Sequence, residues 1–178
     1  RGLGDVYKRQ GTYSRPVTIS NSSANYNGYT GATDNNKKGI YVLSAGQITL
    51  SGVTASGNSH TGTYLENTTL TYPATQVYQG VTVLKSTFDN NDACGLDIRT
   101  RRKITLTSIN ASENSYRGVS AYNDFSEVNS AIVINGTNRI NHNGRSGSYH
   151  GIGLESSGPV TISGITAAWN TVNGLYIY

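Results

Sequence analysis

Residues 95–118 read GLDIRTRRKITLTSINASENSYRG. After the opening glycine, Leu96 and Ile98 alternate with Asp97 and Arg99, Ile104 and Leu106 flank Thr105, and Ile109 and Ala111 flank Asn110. Each alternation reads as a short strand with one buried face. None exceeds about five residues, so each must end in a turn. The same sentence recurs as GIYVLSAGQITLSGVTASGNSHTG at 39–62 and GIGLESSGPVTISGITAAWNTVNG at 151–174.

Marker glycines therefore fall at 39, 62, 95, 118, 151 and 174, with spacings alternating between 23 and 33 residues. One short and one long unit make a super-repeat of 56 residues. Four residues before a glycine stand Asn35, Asn58, Asn91, Asn114 and Asn170; seven before stand Ala32, Ala55, Phe88, Ala111 and Ala167. Such fixed-period self-similarity is the signature of a solenoid. Three short strands per unit, each pairing with its copy one turn later, predict an all-β, three-sided parallel helix. Coils separated by about 4.8 Å, six or seven of them, give a rod about 30 Å long. Inward positions are Ile40 and Val42, Thr63 and Leu65, Leu96 and Ile98, Val119 and Ala121, Ile152 and Leu154, and Leu175 and Ile177. The second strand buries Ile48 and Leu50, Val81 and Val83, Ile104 and Leu106, Ile132 and Ile134, and Val160 and Ile162. The third buries Val53 and Ala55, Ile109 and Ala111, or Ile165 and Ala167, after turns such as Ser51-Gly52. The repeated asparagines are expected to form a stacked amide ladder. Arg15–Ser20 reads as an irregular first strand and Asn21–Gly31 as a polar loop.

These residues resemble the right-handed, single-stranded parallel β-helix repeat of the pectate-lyase-like superfamily, the ITLSGVTASGN segment followed by G-I-x-L carrying the likeness over most of 39–178. TLTYPATQVYQGVTVLKSTFDNN and CGLDIRTRRKITLTSINASEN are also similar to repeat-rich bacterial surface proteins of the filamentous-haemagglutinin or adhesin kind. DVYKRQ, at 5–10, resembles the translated end of a sequencing-library transposon, of the sort found at broken ends of metagenomic reading frames. Arg1–Gln10 is therefore expected to be a non-native artefact, and 11–178 a single β-helix domain cut from a longer solenoid. The chain has no methionine, and Tyr178 closes an expected strand. A signal peptide is not expected in this fragment, and the resemblance to surface proteins implies an extracellular or cell-surface location.

The formal charge of +4 includes three basic and one acidic residue within Arg1–Gln10; without them eleven basic face nine acidic side chains, or +2. That is too little to argue for nucleic acid or an anionic membrane surface. No stretch approaches the about 20 apolar residues of a membrane helix. The single Cys94 cannot form an internal disulfide, so stability must come from stacking. Thirteen tyrosines against two phenylalanines and one tryptophan suit partly exposed ladders more than a dry core.

In the enzymes of the resembled superfamily, active sites lie on the outer face of one strand column beside long turns. Here that column presents Tyr41, Tyr64, Asp97, Ser120, Gly153 and Tyr176 in one row, and Leu43, Glu66, Arg99, Tyr122, Glu155 and Tyr178 in the next. Asn67–Gln79 and Asn123–Ala131 are the long turns. Asp97 and Glu66, one coil and two residues apart, fall at about 8 Å, inside the inverting range of glycoside hydrolysis. Glu66 and Glu155, three coils apart at about 14 Å, fall outside it. Arg99 lies directly beside Glu66, and the plain alternative is an exposed Glu66–Arg99 ion pair worth about 0–1 kcal/mol. The superfamily lyases' aspartate clusters with an arginine, for calcium and base, are not matched. Tyr41, Tyr64, Tyr122 and Tyr176 offer aromatic contacts to a sugar or protein, or simply stack across coils. Arg101 and Arg102, with Lys103, would grip an anionic polysaccharide if they are not merely solvated. Asp89-Asn90-Asn91-Asp92 is calcium-like in composition only, because Asn91 belongs to the ladder, and His60, His142 and His150 lack metal-ligand spacing. No cofactor or metal is expected. Two functions remain: a non-catalytic adhesin or stalk segment meeting polysaccharide or a host or cell-surface protein, and a polysaccharide lyase, hydrolase or epimerase acting at Asp97, Glu66 and Arg99 on an acidic substrate.

Overall fold

The computed structural model describes residues 15–28, 37–68, 79–123 and 129–178, together with the backbone of 6–9. One seven-stranded sheet contains, in order, β1 (Val6–Arg9), β3 (Ile40–Leu43), β5 (Thr63–Glu66), β7 (Leu96–Arg99), β9 (Val119–Tyr122), β12 (Ile152–Glu155) and β15 (Leu175–Ile177). A six-stranded sheet contains β2 (Val17–Ser20), β4 (Ile48–Ser51), β6 (Val81–Leu84), β8 (Ile104–Thr107), β10 (Ile132–Asn135) and β13 (Val160–Ile162). Every pairing is parallel, and each circuit of the chain adds one strand to each sheet, which makes a parallel β-solenoid. The register is the expected one: Ile40, Thr63, Leu96, Val119, Ile152 and Leu175 lie opposite one another in turn.

The expected third strand shrinks to little more than a bridge. β11 (Asn138–Arg139) pairs with β14 (Ile165–Thr166), while Ser23, Thr54, Thr87, Asn110 and Arg139 are linked by isolated bridges. Two columns of left-handed backbone bracket this segment. The first is Asn21, Gly52, Lys85, Ser108, Gly136 and Gly164; the second is Tyr26, Gly57, Asn90, Glu113, His142 and Trp169. Only four or five residues per coil lie between the two columns.

The core is the pile of inward side chains read from the alternation, with Phe88 its largest wholly buried member; of the positions expected inside, Val160, Ile162, Ile165 and Ala167 are only partly buried, and Leu175 and Ile177 are exposed. Burying each Leu, Ile or Val contributes about 1.5–3 kcal/mol before the entropy of ordering is deducted. Thr63 is the misfit: it stands between Ile40 and Leu96, fully buried, and its hydroxyl has no partner. Thr63→Val keeps the shape and removes the orphaned group, so it should raise stability by about 1 kcal/mol in urea unfolding. A loss would show that the hydroxyl has a partner.

The amide ladder runs Asn27, Asn58, Asn91, Asn114, Asn143, Asn170. In each step the backbone N–H and the side-chain Nδ2 of one asparagine both donate to Oδ1 of the next, at 2.9–3.0 Å. From Asn91 on, Nδ2 also donates to the carbonyls of Ala55, Phe88, Ala111 and Ile140 in turn. This explains the marker glycines. A Cβ at Gly39, Gly62, Gly95, Gly118 or Gly151 would lie 2.5–2.7 Å from the ladder nitrogen of Asn58, Asn91, Asn114, Asn143 or Asn170.

Counting back four residues from each glycine does not find two of the rungs. Asn35 lies outside the described residues, and the rung before Asn58 is Asn27, with a buried Ala24 three residues before it as a buried Ala55 is before Asn58. Between Asn114 and Asn170 the rung is Asn143, eight residues before its glycine instead of four. In both coils more residues separate the asparagine from its glycine, so the ladder keeps its place while the count slips. Nor is 21–28 a free loop. Asn21, Ala24 and Tyr26 donate backbone hydrogen bonds to Ser51, Thr54 and Ser56, and β2 pairs regularly with β4. Of Arg1–Gln10, only the backbone of Val6–Arg9 is described; it runs parallel to β3, with Val6 opposite Ile40.

Candidate functional site

The outer face of the seven-stranded sheet carries the two rows expected: Tyr41, Tyr64, Asp97, Ser120, Gly153 and Tyr176, and beside them Leu43, Glu66, Arg99, Tyr122 and Glu155. Their pairing differs from the expectation. Arg99 lies opposite Glu66 in register, yet its guanidinium meets Asp97 at 3.6 Å. Glu66 is taken by the Tyr64 phenol at 2.8 Å and the Thr68 hydroxyl at 2.7 Å. Residues two apart on one strand share a face, and here that neighbour wins over the one across the coil. Half of the Arg99 side chain is in water, so its ion pair is worth about 0–1 kcal/mol.

The tyrosines of this face are engaged as well. The Tyr41 and Tyr64 rings lie 5.4 Å apart, Lys38 Nζ sits 5.4 Å from one and 5.5 Å from the other, and Arg99 stands 5.4 Å from the Tyr64 ring. Burial, then the bond to Glu66, push the Tyr64 phenol well above its ordinary range. Tyr176 stacks on His150 with ring centres 4.4 Å apart, and burial together with Arg117 lowers the His150 pKa. Tyr122 is half-buried. These four tyrosines share a column, but the rings of Tyr41, Tyr64 and Tyr176 already have partners.

Asp97 is a largely buried carboxylate. Its side chain is only 14% exposed, and Oδ1 has no hydrogen-bond partner. Burial raises its pKa, opposed by Arg99 and then Arg117. Arg117 lies across Gly153, where a Cβ would come within 3.1–3.2 Å of its guanidinium, and its own Nε is buried without a partner. The neighbouring Cys94 thiol is pushed up to about 11, by burial first and Asp97 second. An acid whose folded pKa is raised binds its proton more tightly in the native state, so stability falls as pH rises from the ordinary carboxylate range through the raised value. Asp97→Asn should therefore flatten the decline in urea midpoint as the pH rises above about 4. An unchanged slope would mean that Asp97 is solvated.

Arg101 is exposed and Arg102 half-buried, its Nε buried without a partner. Their carbonyls receive Ser130 Oγ and Asn123 Nδ2, so this basic turn lies against Asn123 and Ser130. The calcium-like run is spent internally: Asp89 accepts from Asn110 Nδ2 at 2.8 Å and Ser112 N at 2.7 Å, and Asn91 is a rung. Among the described residues no group of three or more His, Cys, Asp or Glu side chains is placed to hold a metal ion. Nor is any helix among them long and apolar enough to cross a membrane.

The sequence reading missed one concavity. A cavity of about 440 Å³ opens beside the ladder, lined by Glu113, His142, Asn143, Arg145, Trp169 and Thr171. Glu113, His142 and Trp169 each immediately precede a rung. With the rung at Asn143 unrecognised, nothing aligned His142 with its neighbours; the shared N-terminal step to asparagine was the available signal. The chain matches no protein-family model, no curated protein and no solved structure.

Proposed function

We propose that residues 11–178 are a length of right-handed, three-sided β-helix from an extracellular or cell-surface repeat protein. In this reading they act as a non-catalytic stalk or adhesin segment that meets a polysaccharide or a host or cell-surface protein. The observation that carries it is the unbroken ladder from Asn27 to Asn170, a rigid element repeated in every coil. Glu66, one of the two carboxylates offered for catalysis, is meanwhile held by Tyr64 and Thr68. Incubation with pectate, alginate, xylan and starch should release no reducing ends or unsaturated products above the level of Asp97→Ala.

One observation favours a carbohydrate-active alternative: a buried carboxyl with a raised pKa and an unpartnered oxygen is what a general acid requires. Turnover of any of the four polymers, abolished by Asp97→Ala, would establish that reading and remove the first.

A further inference from the structure

The cavity beside the ladder differs in chemistry from the rest of the surface. His142 and Trp169 are stacked, ring centres 4.9 Å apart and 21° from parallel, and Trp169 is 75% exposed. Glu113 precedes them one coil earlier, and Arg145 stands on the other side of the rung Asn143. Among the described residues the side chains of Glu113, His142, Arg145 and Trp169 make no hydrogen bond or ion pair, whereas Tyr64, Glu66 and Asp97 on the sheet face are engaged with neighbours. An aromatic floor is thus ringed by an acceptor, a guanidinium and an indole N–H, all unspent.

The backbone adds a second argument. Glu113, His142 and Trp169 have φ of 59°, 55° and 53°, in the left-handed region that costs an ordinary side chain free energy. Earlier coils fill the same position with Tyr26, Gly57 and Asn90, the last two of which adopt it readily. The turn itself therefore needs no carboxylate, imidazole or indole. The flanking turn is also fixed: the Thr171 hydroxyl reaches the carbonyls of Asn143, Gly144 and Gly147 at 3.0–3.1 Å, and Tyr149 stacks on Tyr116 with ring centres 4.5 Å apart. Arg145 is held on this pinned segment.

We infer that the ridge of Glu113, His142 and Trp169, with Arg145 at its side, binds the pyranose units of a glycan. It rests on the reading of the rod as a surface segment that meets polysaccharide, and it locates that contact at the turns and not on the sheet. A pyranose has an apolar C–H face to lie on the indole and a rim of hydroxyls that donate to Glu113 and accept from Arg145 and the Trp169 N–H. A phosphate would be repelled by Glu113, and a lone cation would find only one carboxylate. The cavity volume lies within the about 300–1,000 Å³ of small-ligand sites, and three coils span about 10 Å, room for a disaccharide.

Trp169 is the chain's one tryptophan, so its emission reports on this site alone. The intact chain is titrated with cellohexaose, chitohexaose, maltohexaose and hexagalacturonate, followed by Trp169 fluorescence and by calorimetry. At least one should shift the emission saturably. His142→Asn and Arg145→Ala should weaken that binding tenfold or more, and Tyr64→Ala should leave it unchanged. Trp169→Asn should abolish calorimetric binding while the melting temperature stays equal or rises, because Asn relieves the strained turn; a purely structural tryptophan would lower it. Calorimetric binding without an emission change, or binding indifferent to His142 and Arg145, overturns the assignment while glycan contact elsewhere on the rod stands. No binding of any hexasaccharide by either readout overturns both.

Discussion

Gly95→Ala is expected to cost about 4 kcal/mol, nearly the whole stability of many domains. The added methyl would lie 2.6 Å from the Phe88 carbonyl, 2.7 Å from the Gly118 carbonyl and 2.7 Å from Asn114 Nδ2. Two of the three obstacles are backbone, so relief requires moving one coil against the next. Overpacking of this kind costs about 1–3 kcal/mol, and the displaced amide forfeits buried hydrogen bonds worth about 1–3 kcal/mol more. Gly153→Ala is the matched control, because its methyl meets only the flexible Arg117 side chain. Urea unfolding followed by circular dichroism should separate the two variants by several kcal/mol. Equal midpoints would mean that the glycine column is not set by the ladder.

The second large effect lies on the ladder itself. Asn114→Ala removes the acceptor of both Asn91 N, at 2.9 Å, and Asn91 Nδ2, at 3.0 Å, and the donor to the Phe88 carbonyl. All lie where water does not reach, and Asn114 is completely buried. Two stranded donors at about 1–3 kcal/mol each put the loss at roughly 3–5 kcal/mol. Asn110→Ala, four residues earlier, removes half-buried bonds to Asp89 and Ser112 and should cost about 1 kcal/mol. A reversal of that order would refute a structural ladder.

The solenoid was legible because its two governing signals are strictly periodic. Alternating Ile, Val and Leu mark which side chains face inward, and the close approach of amide and backbone excludes a Cβ at the marker glycines. The rungs at Asn27 and Asn143 were hidden because a turn outside the paired strands can lengthen without disturbing the register. The outer face was legible as rows but not as contacts. Sequence places Glu66 opposite Arg99, yet whether that arginine turns across the coil or along its own strand to Asp97 depends on how deeply each carboxylate is buried. The groove at Trp169 is illegible for a related reason: it is assembled from the residue before each rung, and the count from the glycines passes over the rung at Asn143.

The asparagine ladder is a vector. In every step the earlier coil gives both N–H groups and the later coil receives them. The two ends of such a rod are thus chemically unlike, one offering donors and the other an acceptor. Two rods meeting by equivalent ends would oppose donor to donor or lone pair to lone pair, whereas opposite ends continue the series. Any end-on assembly built on this amide column is therefore polar, of the heterologous kind that yields filaments and not closed pairs.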